Sequence, residues 1–209
     1  MNKRFYLVTR DLHLYLGLFI SPFVLVFAIS VFFLVHSWIP GADNRDVSTT
    51  SVSDLRLPPE LEKLSGRELV DALRPVLDQI GVQGEMQFVR RVPAEHRIIV
   101  PVTVPGRETS VAIDLQRRSA EIKRHTTGIW DAMVVLHKMP GPHLAAIRMN
   151  WFMIRAWRWL ADATAYLVLF ISVTGIYLWI VLRSERRAGL ILIGLGAFSF
   201  FGMVYVLSN

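Results

Sequence analysis

The sequence contains no cysteine, and charged residues are scarce in it. The absence of thiols excludes disulfides, thiolate metal sites, iron–sulfur clusters and covalently attached c-type haem. Charged residues make up 19% of the chain and hydrophobic residues 53%, whereas a soluble domain has about 25% charged residues. This hydrophobicity also excludes a disordered chain. The few charges are unbalanced, with 23 Lys and Arg against 17 Asp and Glu, which indicates either a nucleic-acid partner or a membrane surface.

The apolar residues are concentrated in three long segments that contain no Asp, Glu, Lys or Arg. The segments cover residues 14–39, 163–182 and 188–207, and they contain 26, 20 and 20 residues. About 20 apolar residues in a helix cross a hydrocarbon core of roughly 30 Å. We therefore predict three transmembrane helices and a lipid bilayer as partner. The first segment exceeds the roughly 7–15 apolar residues of a signal peptide, so we expect a retained anchor.

The basic residues are distributed asymmetrically around these segments. They cluster before the first segment and in the short turn between the second and third: Lys3, Arg4, Arg10, Arg183, Arg186 and Arg187. The positive-inside rule places both clusters in the cytoplasm, and residues 40 to about 160 outside a bacterial inner membrane. Residues 40–127 carry 13 basic and 13 acidic side chains, so the entire +6 surplus flanks the apolar segments. The charge therefore indicates membrane topology, and no nucleic-acid partner is expected.

A polar region between the first and second segments contains one amphipathic helical pattern. The stretch GADNRDVSTTSVSD, residues 41–54, is predicted to be a loop-like linker. The following SGRELVDALRPVLDQIG has apolar residues at helical spacing, with Ser65 and Glu68 as an N-terminal capping pair and Gly81 as a stop.

After this helix the sequence period changes from that of a helix to that of strands. EMQFVRRV, HRIIVPVTV and ETSVAIDLQ alternate or are β-branched, with PAE and PG turn signals between them, and residues 119–125 add a short strand. The predicted fold class is an α+β membrane protein, with three transmembrane helices and a small extracytoplasmic domain of one helix on an antiparallel sheet. Its predicted parts are 1–39, cytoplasmic N-terminus and first helix; 40–127, linker and outer domain; 128–162, a membrane-proximal amphipathic segment; 163–182, second helix; and 188–207, third helix.

The polar region and three further segments resemble PepSY proteins of the membrane. The polar region resembles a PepSY module, and RDLHLYLGLFISPFVLVFAISVF, the LH of VVLHKMPGP, and ISVTGIYLWIVLRSERR resemble the PepSY-associated transmembrane (PepSY_TM) family. The resemblance covers about residues 4–187 and leaves out the third helix. It implies a reduced version of the ferric-siderophore reductase-type members, which carry b-type haem between membrane helices.

Histidines flank the predicted membrane helices. His13 and His36 lie 23 residues apart, about 34 Å in a helix, so each is near one membrane face. His137 is on the same side as His36, and two imidazoles at one depth are the arrangement of bis-histidine haem ligation; the alternative is contact with lipid headgroups. Gly17, on the face of His13, leaves room for a flat macrocycle. The family resemblance implies His13, His36 and His137 as haem ligands, and His143 has no counterpart.

Arginines close to these histidines are candidates for pairing with haem propionates. Arg10 precedes His13 by one turn, and Arg148, Arg155 and Arg158 cluster before the second membrane helix. Guanidinium pairs well with carboxylate, so Arg10, Arg148 and Arg155 are predicted to contribute to cofactor binding. Lipid phosphate is the alternative partner.

Two functions are compatible with these features. The first is haem-dependent electron transfer, as a membrane oxidoreductase or electron-transfer subunit, to an extracytoplasmic acceptor such as a ferric chelate. Its electrons would come from quinol or a redox partner, since the chain has no GxGxxG fingerprint. The second is a non-redox PepSY binding or regulatory module, or an accessory subunit.

Small residues in the third helix favour close packing, in a homo-oligomer, a larger membrane complex or its own bundle. No hydrolytic motif is present, so no catalytic residue is assigned.

Overall fold

The computed structural model describes residues 3–40, 46–139, 141, 146–182 and 186–208. The described helices are α1 (Lys3–His36), α2 (Gly66–Gln79), α3 (Gly128–Lys138), α4 (Phe152–Leu182) and α5 (Arg186–Ser208). The described strands are β1 (Asp46–Val52), β2 (Glu85–Met86), β3 (Arg90–Val92), β4 (Arg97–Val104), β5 (Arg107–Asp114) and β6 (Ser119–Thr126). The predicted α+β class is confirmed.

Three of the helices are long and apolar enough to cross a membrane, namely α1, α4 and α5, with 34, 31 and 23 residues. The first two begin eleven residues before their apolar runs, because a helix satisfies its own backbone groups and continues through the interface. Pro22 lies inside α1 and leaves the Leu18 carbonyl without its helical donor. The Ser21 hydroxyl donates to that carbonyl at 3.0 Å, so α1 continues past the proline.

The described chain forms two compact units, whose boundaries fall inside α1 and α4. One unit consists of Met1–Pro22 and Ala163–Asn209, and the other of Phe23–Asp162. In the first, the Phe5 and Tyr177 rings meet edge to face at 5.6 Å. The Trp179 ring of α4 lies directly against Gly189 of α5, where a Cβ atom would overlap it. In this unit, aromatic contacts therefore join α4 to both of its neighbours.

The second unit contains an antiparallel sheet in the order β1-β6-β5-β4-β2, with β3 also paired to β4. Strand β1 pairs with β6 along its whole length, from Asp46 opposite Thr126 to Val52 opposite Ala120. The prediction of a linker over residues 41–54 is therefore wrong for Asp46–Val52. Ser and Thr read as loop residues in isolation, but Thr and Val suit a strand, and the edge of β6 supplies hydrogen-bond partners.

The segment EMQFVRRV forms two short strands instead of the one predicted. Met86 pairs with Val102 and Arg90 with Ile99, and the Gln87 amide donates to the Pro101 carbonyl at 3.0 Å. Residues 88 and 89 therefore stand opposite Val100 alone, which is a β-bulge. Pro101 has no amide hydrogen to return, so the ladder is interrupted beside it.

Helix α2 packs its apolar face onto this sheet. Leu73, Leu77, Val100, Val111 and Ile113 are fully buried and form the centre of the core. Ser65 occupies the predicted N-cap position, but its hydroxyl makes no capping hydrogen bond. Gly81 follows the helix at a φ of +64°, a left-handed conformation in which glycine is the least strained residue, as expected of a stop.

Candidate functional site

His13 packs against the threonine–glycine pair of the ISVTGIYLW segment. Its Nδ1 atom lies 2.8 Å from Oγ1 of Thr174, which is buried in α4. His13 also lies close to Gly175, since a Cβ there would be 3.4 Å from His13 Cε1, at van der Waals contact. The same hydroxyl donates to the Phe170 carbonyl at 2.7 Å.

This geometry links the tautomer of His13 to the hydrogen bond that the Thr174 hydroxyl donates. The Thr174 hydroxyl has one hydrogen, and its donation to Phe170 makes Oγ1 an acceptor toward the imidazole. In that arrangement Nδ1 of His13 carries the hydrogen. In a neutral ring Nε2 keeps its lone pair, which is the form that ligates a metal.

His137 has the same arrangement in the other unit. Its Nδ1 lies 3.2 Å from the hydroxyl of Ser30, which is fully buried in α1 and donates to the Phe27 carbonyl at 2.7 Å. The Phe27 and His137 ring centroids are 5.5 Å apart in an edge-to-face contact. When the Ser30 hydroxyl donates to the Phe27 carbonyl, Nδ1–H of His137 is the donor to Ser30 and Nε2 is left free.

No described contact joins the His36 and His137 side chains. His36 is exposed, and its ring packs against Phe32 at a tilt of 51°, with centroids 4.5 Å apart. Six residues separate it from Ser30, the partner of His137, which is about 9 Å along α1 and about 120° around it. Among the described residues no cluster of three or more His, Asp or Glu side chains could hold a metal ion. His143 lies outside the described residues.

The other predicted cofactor residues are separated from one another. Arg10 is exposed and pairs with Asp11 at 2.8 Å. Gly17 has no atom within 4 Å of the position where a Cβ would be, so the space beside it is open. Arg148 and Arg155 contribute to a pocket at the start of α4 and make no described contact with a histidine.

A polar network joins the sheet to the start of α4. Glu85 is buried, and its carboxylate accepts hydrogen bonds from the Trp151 amide at 2.8 Å and the Asn150 amide at 3.2 Å. Arg74 donates to the Asn150 side-chain oxygen at 2.6 Å and to the Gly84 carbonyl at 3.0 Å. Burial raises the pKa of Glu85 above its ordinary value, and the backbone donors oppose that shift. The pKa of Arg74 is lowered, chiefly by burial.

A cavity of about 650 Å³ adjoins this network. Its wall is formed by β2, β4, β5, α3 and the start of α4, and it is largely apolar. Its charged lining residues are Glu85, Glu108, Asp131, Lys138 and Arg148. Apolar walls with a few charged groups and this volume are typical of small-ligand sites.

Sequence reasoning missed the two hydroxyl partners, Thr174 and Ser30. Both are polar residues within long apolar segments, where an unpartnered hydroxyl is costly, and that is the signal that could have found them. It missed Glu85 for a different reason. A lone Glu at the start of a strand pattern gives no indication of burial, and its partners come from a segment more than 60 residues later, at Asn150 and Trp151.

Comparison with known proteins identifies one matching family and no individual relative. The family model described as "Putative PepSY_TM-like" matches residues 7–207. No curated protein and no solved structure matches the chain. The match includes nearly all of α5, so the expectation that the third helix lies outside the resemblance is wrong.

Proposed function

The chain belongs to the PepSY_TM-like family, and on that premise we propose that it binds b-type haem through membrane histidines and passes electrons to an extracytoplasmic acceptor. One observation carries the proposal. His13 and His137 each face a buried hydroxyl whose hydrogen is already donated to a helix carbonyl, which leaves Nε2 free in a neutral ring. Two such pairs in one chain favour ligation over simple headgroup contact.

The protein's own residues would hold and orient these ligands. Thr174 and Ser30 fix the tautomer and the ring plane, and hydrogen bonds of this kind make a metal-binding histidine a better ligand. The open space beside Gly17 leaves room for a planar group on the side of α1 that carries His13. A haem iron supplies one-electron redox chemistry when it is bound.

A bis-histidine iron needs a second imidazole for each of these histidines. His36 is exposed and has no described hydrogen bond, so it is available to an iron also bound by His137 after rearrangement, or to one in a second copy of the chain. His13 has no histidine partner among the described residues, so its second ligand would come from another subunit. We place the N-terminus in the cytoplasm of a bacterial inner membrane and the sheet outside, with quinol or a partner protein as the electron donor.

The visible spectrum of the full chain tests this proposal. The protein is purified in mild detergent from cells supplied with a haem precursor. We expect Soret and α bands, and we expect His13→Ala and His137→Ala each to remove or shift them. His36→Ala reports whether that residue supplies a second ligand.

A matched control is His96→Asn, because His96 lies on the polar sheet domain in a left-handed conformation that asparagine tolerates. Its spectrum should equal that of the parent chain. A colourless protein under haem-replete expression would contradict haem binding. Unchanged bands in both the His13 and His137 variants would contradict the ligand assignment.

The 650 Å³ cavity favours a second candidate, a non-redox binding module anchored in the membrane. The lining includes the carboxylates Glu108 and Asp131 and the cation Lys138, which suit a small ligand or peptide end that carries both charges and an apolar body. In this case the helices serve as an anchor, and the histidine–hydroxyl pairs stabilise their packing.

Mass spectrometry of material extracted from the purified chain distinguishes this candidate. Val135→Trp would narrow the cavity, and we expect it to abolish co-purification of the ligand. Ile129→Trp is the control, because Ile129 is an exposed residue of the same helix that does not line the cavity. Equal ligand content in the parent and both variants would argue against the cavity as the binding site.

A further inference from the structure

A second pocket, of about 480 Å³, lies where α2 approaches the first turns of α4. Its charged lining residues are Arg67, Arg148, Arg155, Arg158 and Asp162. Arg67 comes from the sheet domain, and its guanidinium donates to the Arg148 carbonyl at 3.4 Å. The pocket therefore combines an arginine from the sheet domain with arginines at or just before the beginning of a membrane helix.

The cations in this pocket exceed the anions. Arg158 pairs with Asp162 at 3.7 Å and Arg67 with Asp71 at 3.4 Å, and all four side chains are about half exposed. Arg155 and Arg148 have no carboxylate partner among the described residues.

The described direct contacts of these two guanidinium groups are with neutral groups. Arg155 lies over the Phe152 ring at 6.0 Å. Arg148 donates to the Gly141 carbonyl at 2.6 Å, and its buried Nε has no described partner. Guanidinium groups that converge in this way favour a bound anion with several oxygens, phosphate or carboxylate.

The position along α4 indicates the source of that anion. The charge-free run of α4 begins at Ala163, and Arg158 and Arg155 precede it by five and eight residues. At 1.5 Å per residue these are about 7.5 and 12 Å. The headgroup layer extends about 5–7.5 Å beyond the hydrocarbon core on each side, so Arg158 lies at its outer edge and Arg155 about one helical turn farther out. Trp159 also lines the pocket and is 79% exposed, as expected of an interfacial tryptophan.

The pocket is separate from the histidines. Arg155 and Trp157 lie about 160° apart around α4. Trp157 faces α1 and α3, with its ring 6.0 Å from Phe27 and its indole N–H bonded to the Leu136 carbonyl at 2.9 Å. Because His137 packs on that same Phe27, the arginine face points away from the proposed haem ligand.

We propose that this pocket binds the phosphate of an anionic phospholipid headgroup. The headgroup takes the place of the missing carboxylates of Arg148 and Arg155. Through Arg67 it also connects the sheet domain to the membrane surface, so the lipid holds α2 beside the start of α4. This inference is independent of haem.

Native mass spectrometry of the full chain in detergent, titrated with phosphatidylglycerol or phosphatidylcholine, tests the proposal. We expect phosphatidylglycerol to be retained preferentially, and the double variant Arg67→Gln/Arg155→Gln to weaken its binding roughly tenfold, since two exposed arginine–phosphate ion pairs are lost. Both side chains are well exposed, so the variant should fold. The control is Arg90→Gln/Arg117→Gln, which removes the same charge from exposed sites on the sheet domain.

Three results would overturn the proposal. Equal retention of the two lipids means that the pocket does not recognise the net charge of the headgroup. Equal weakening in the control variant means that general attraction to the protein's positive charge is responsible. Displacement of phosphatidylglycerol by millimolar inorganic phosphate means that the pocket takes the free ion and not a lipid.

Discussion

Each histidine–hydroxyl pair depends on a serine or threonine that donates backward to its own helix. A hydroxyl in the membrane would otherwise leave its hydrogen unpaired, so donation to Phe170 or Phe27 lowers its cost. The hydroxyl oxygen can then only accept a hydrogen bond. The imidazole therefore donates to it through Nδ1–H, which favours one tautomer. At the residue scale the chemistry of His13 is therefore set by Thr174, a side chain that bears no charge.

Removal of the Thr174 hydroxyl should destabilise the chain. It should also allow the neutral His13 ring to adopt both tautomers. Thr174→Val keeps the shape but leaves Nδ1–H without an acceptor, and we expect a loss of about 1 kcal/mol of unfolding free energy. Nitrogen NMR of the His13 ring should change from a single Nδ1–H form to a mixture. Thr174→Ser is the control and should retain both properties. An equal loss in the serine variant would mean that the methyl contact is responsible, and not the hydrogen bond.

Buried Glu85 should make the stability of the sheet domain fall as pH rises through the mildly acidic range. Its pKa in the folded protein is raised above its ordinary 4.5, so the native state binds more protons than the unfolded chain between these two values. Stability from this group is present in full below pH 4.5 and is lost as pH rises through the raised pKa. Glu85→Gln should remove this slope.

Thermal unfolding of the parent chain and Glu85→Gln, followed by tryptophan fluorescence from mildly acidic to neutral pH, measures the effect. The informative quantity is the difference between the two melting temperatures at each pH, because the other carboxyl groups cancel in it. A difference that does not vary with pH, or one that varies in the opposite direction, would contradict the raised pKa of Glu85.

At the scale of helices and strands, an element could be predicted when its own sequence shows which face is buried, and not when a distant strand determines its structure. Helix α2 and strands β4, β5 and β6 follow from local periodicity, since each buries one face against the same core. Strand β1 has six exposed residues among its seven, so its sequence contains no core pattern and only the edge of β6 makes it a strand. The bulge opposite Val100 likewise depends on Pro101, which lies on another strand. Local sequence predicts an element well when its own burial defines it, and poorly when a distant strand does.

The α4–α5 hairpin should depend on the absence of a side chain at Gly189. Any Cβ at this position would overlap the Trp179 ring, so Gly189→Val should force the two helices apart and lower the melting temperature of the chain by several degrees. Gly196→Val is the matched control, because no atom lies within 4 Å of its Cβ position. Circular dichroism melting in detergent compares the two. A larger effect at Gly196 would indicate that α5 packs through its glycines against another chain, and not through Trp179.

At the scale of the whole chain, charge and hydrophobicity are divided between different segments. The 13 acidic and 13 basic residues of 40–127 leave the sheet region neutral, while ten basic and four acidic residues flank the helices. The proposed topology and the proposed phospholipid site assign two roles to this basic excess: orientation before the first helix and between the last two, and anion binding at the start of α4. Under the proposed topology the same residue type has two roles because the positive-inside rule applies to short loops, whereas long regions are largely exempt from it.

The absence of cysteine allows this orientation to be tested without background labelling. Single variants Asn2→Cys, Gln116→Cys and Ser208→Cys place one thiol at the N-terminus, on the sheet domain and at the C-terminal end. Because basic flanks are retained in the cytoplasm, we expect a membrane-impermeant maleimide to label Gln116→Cys and Ser208→Cys in intact spheroplasts, and Asn2→Cys only after lysis. The control is labelling after lysis, where the thiol of all three variants should react with the maleimide. Labelling of Asn2→Cys alone in intact spheroplasts would invert the topology and put the sheet domain, with its arginine pocket, on the cytoplasmic leaflet.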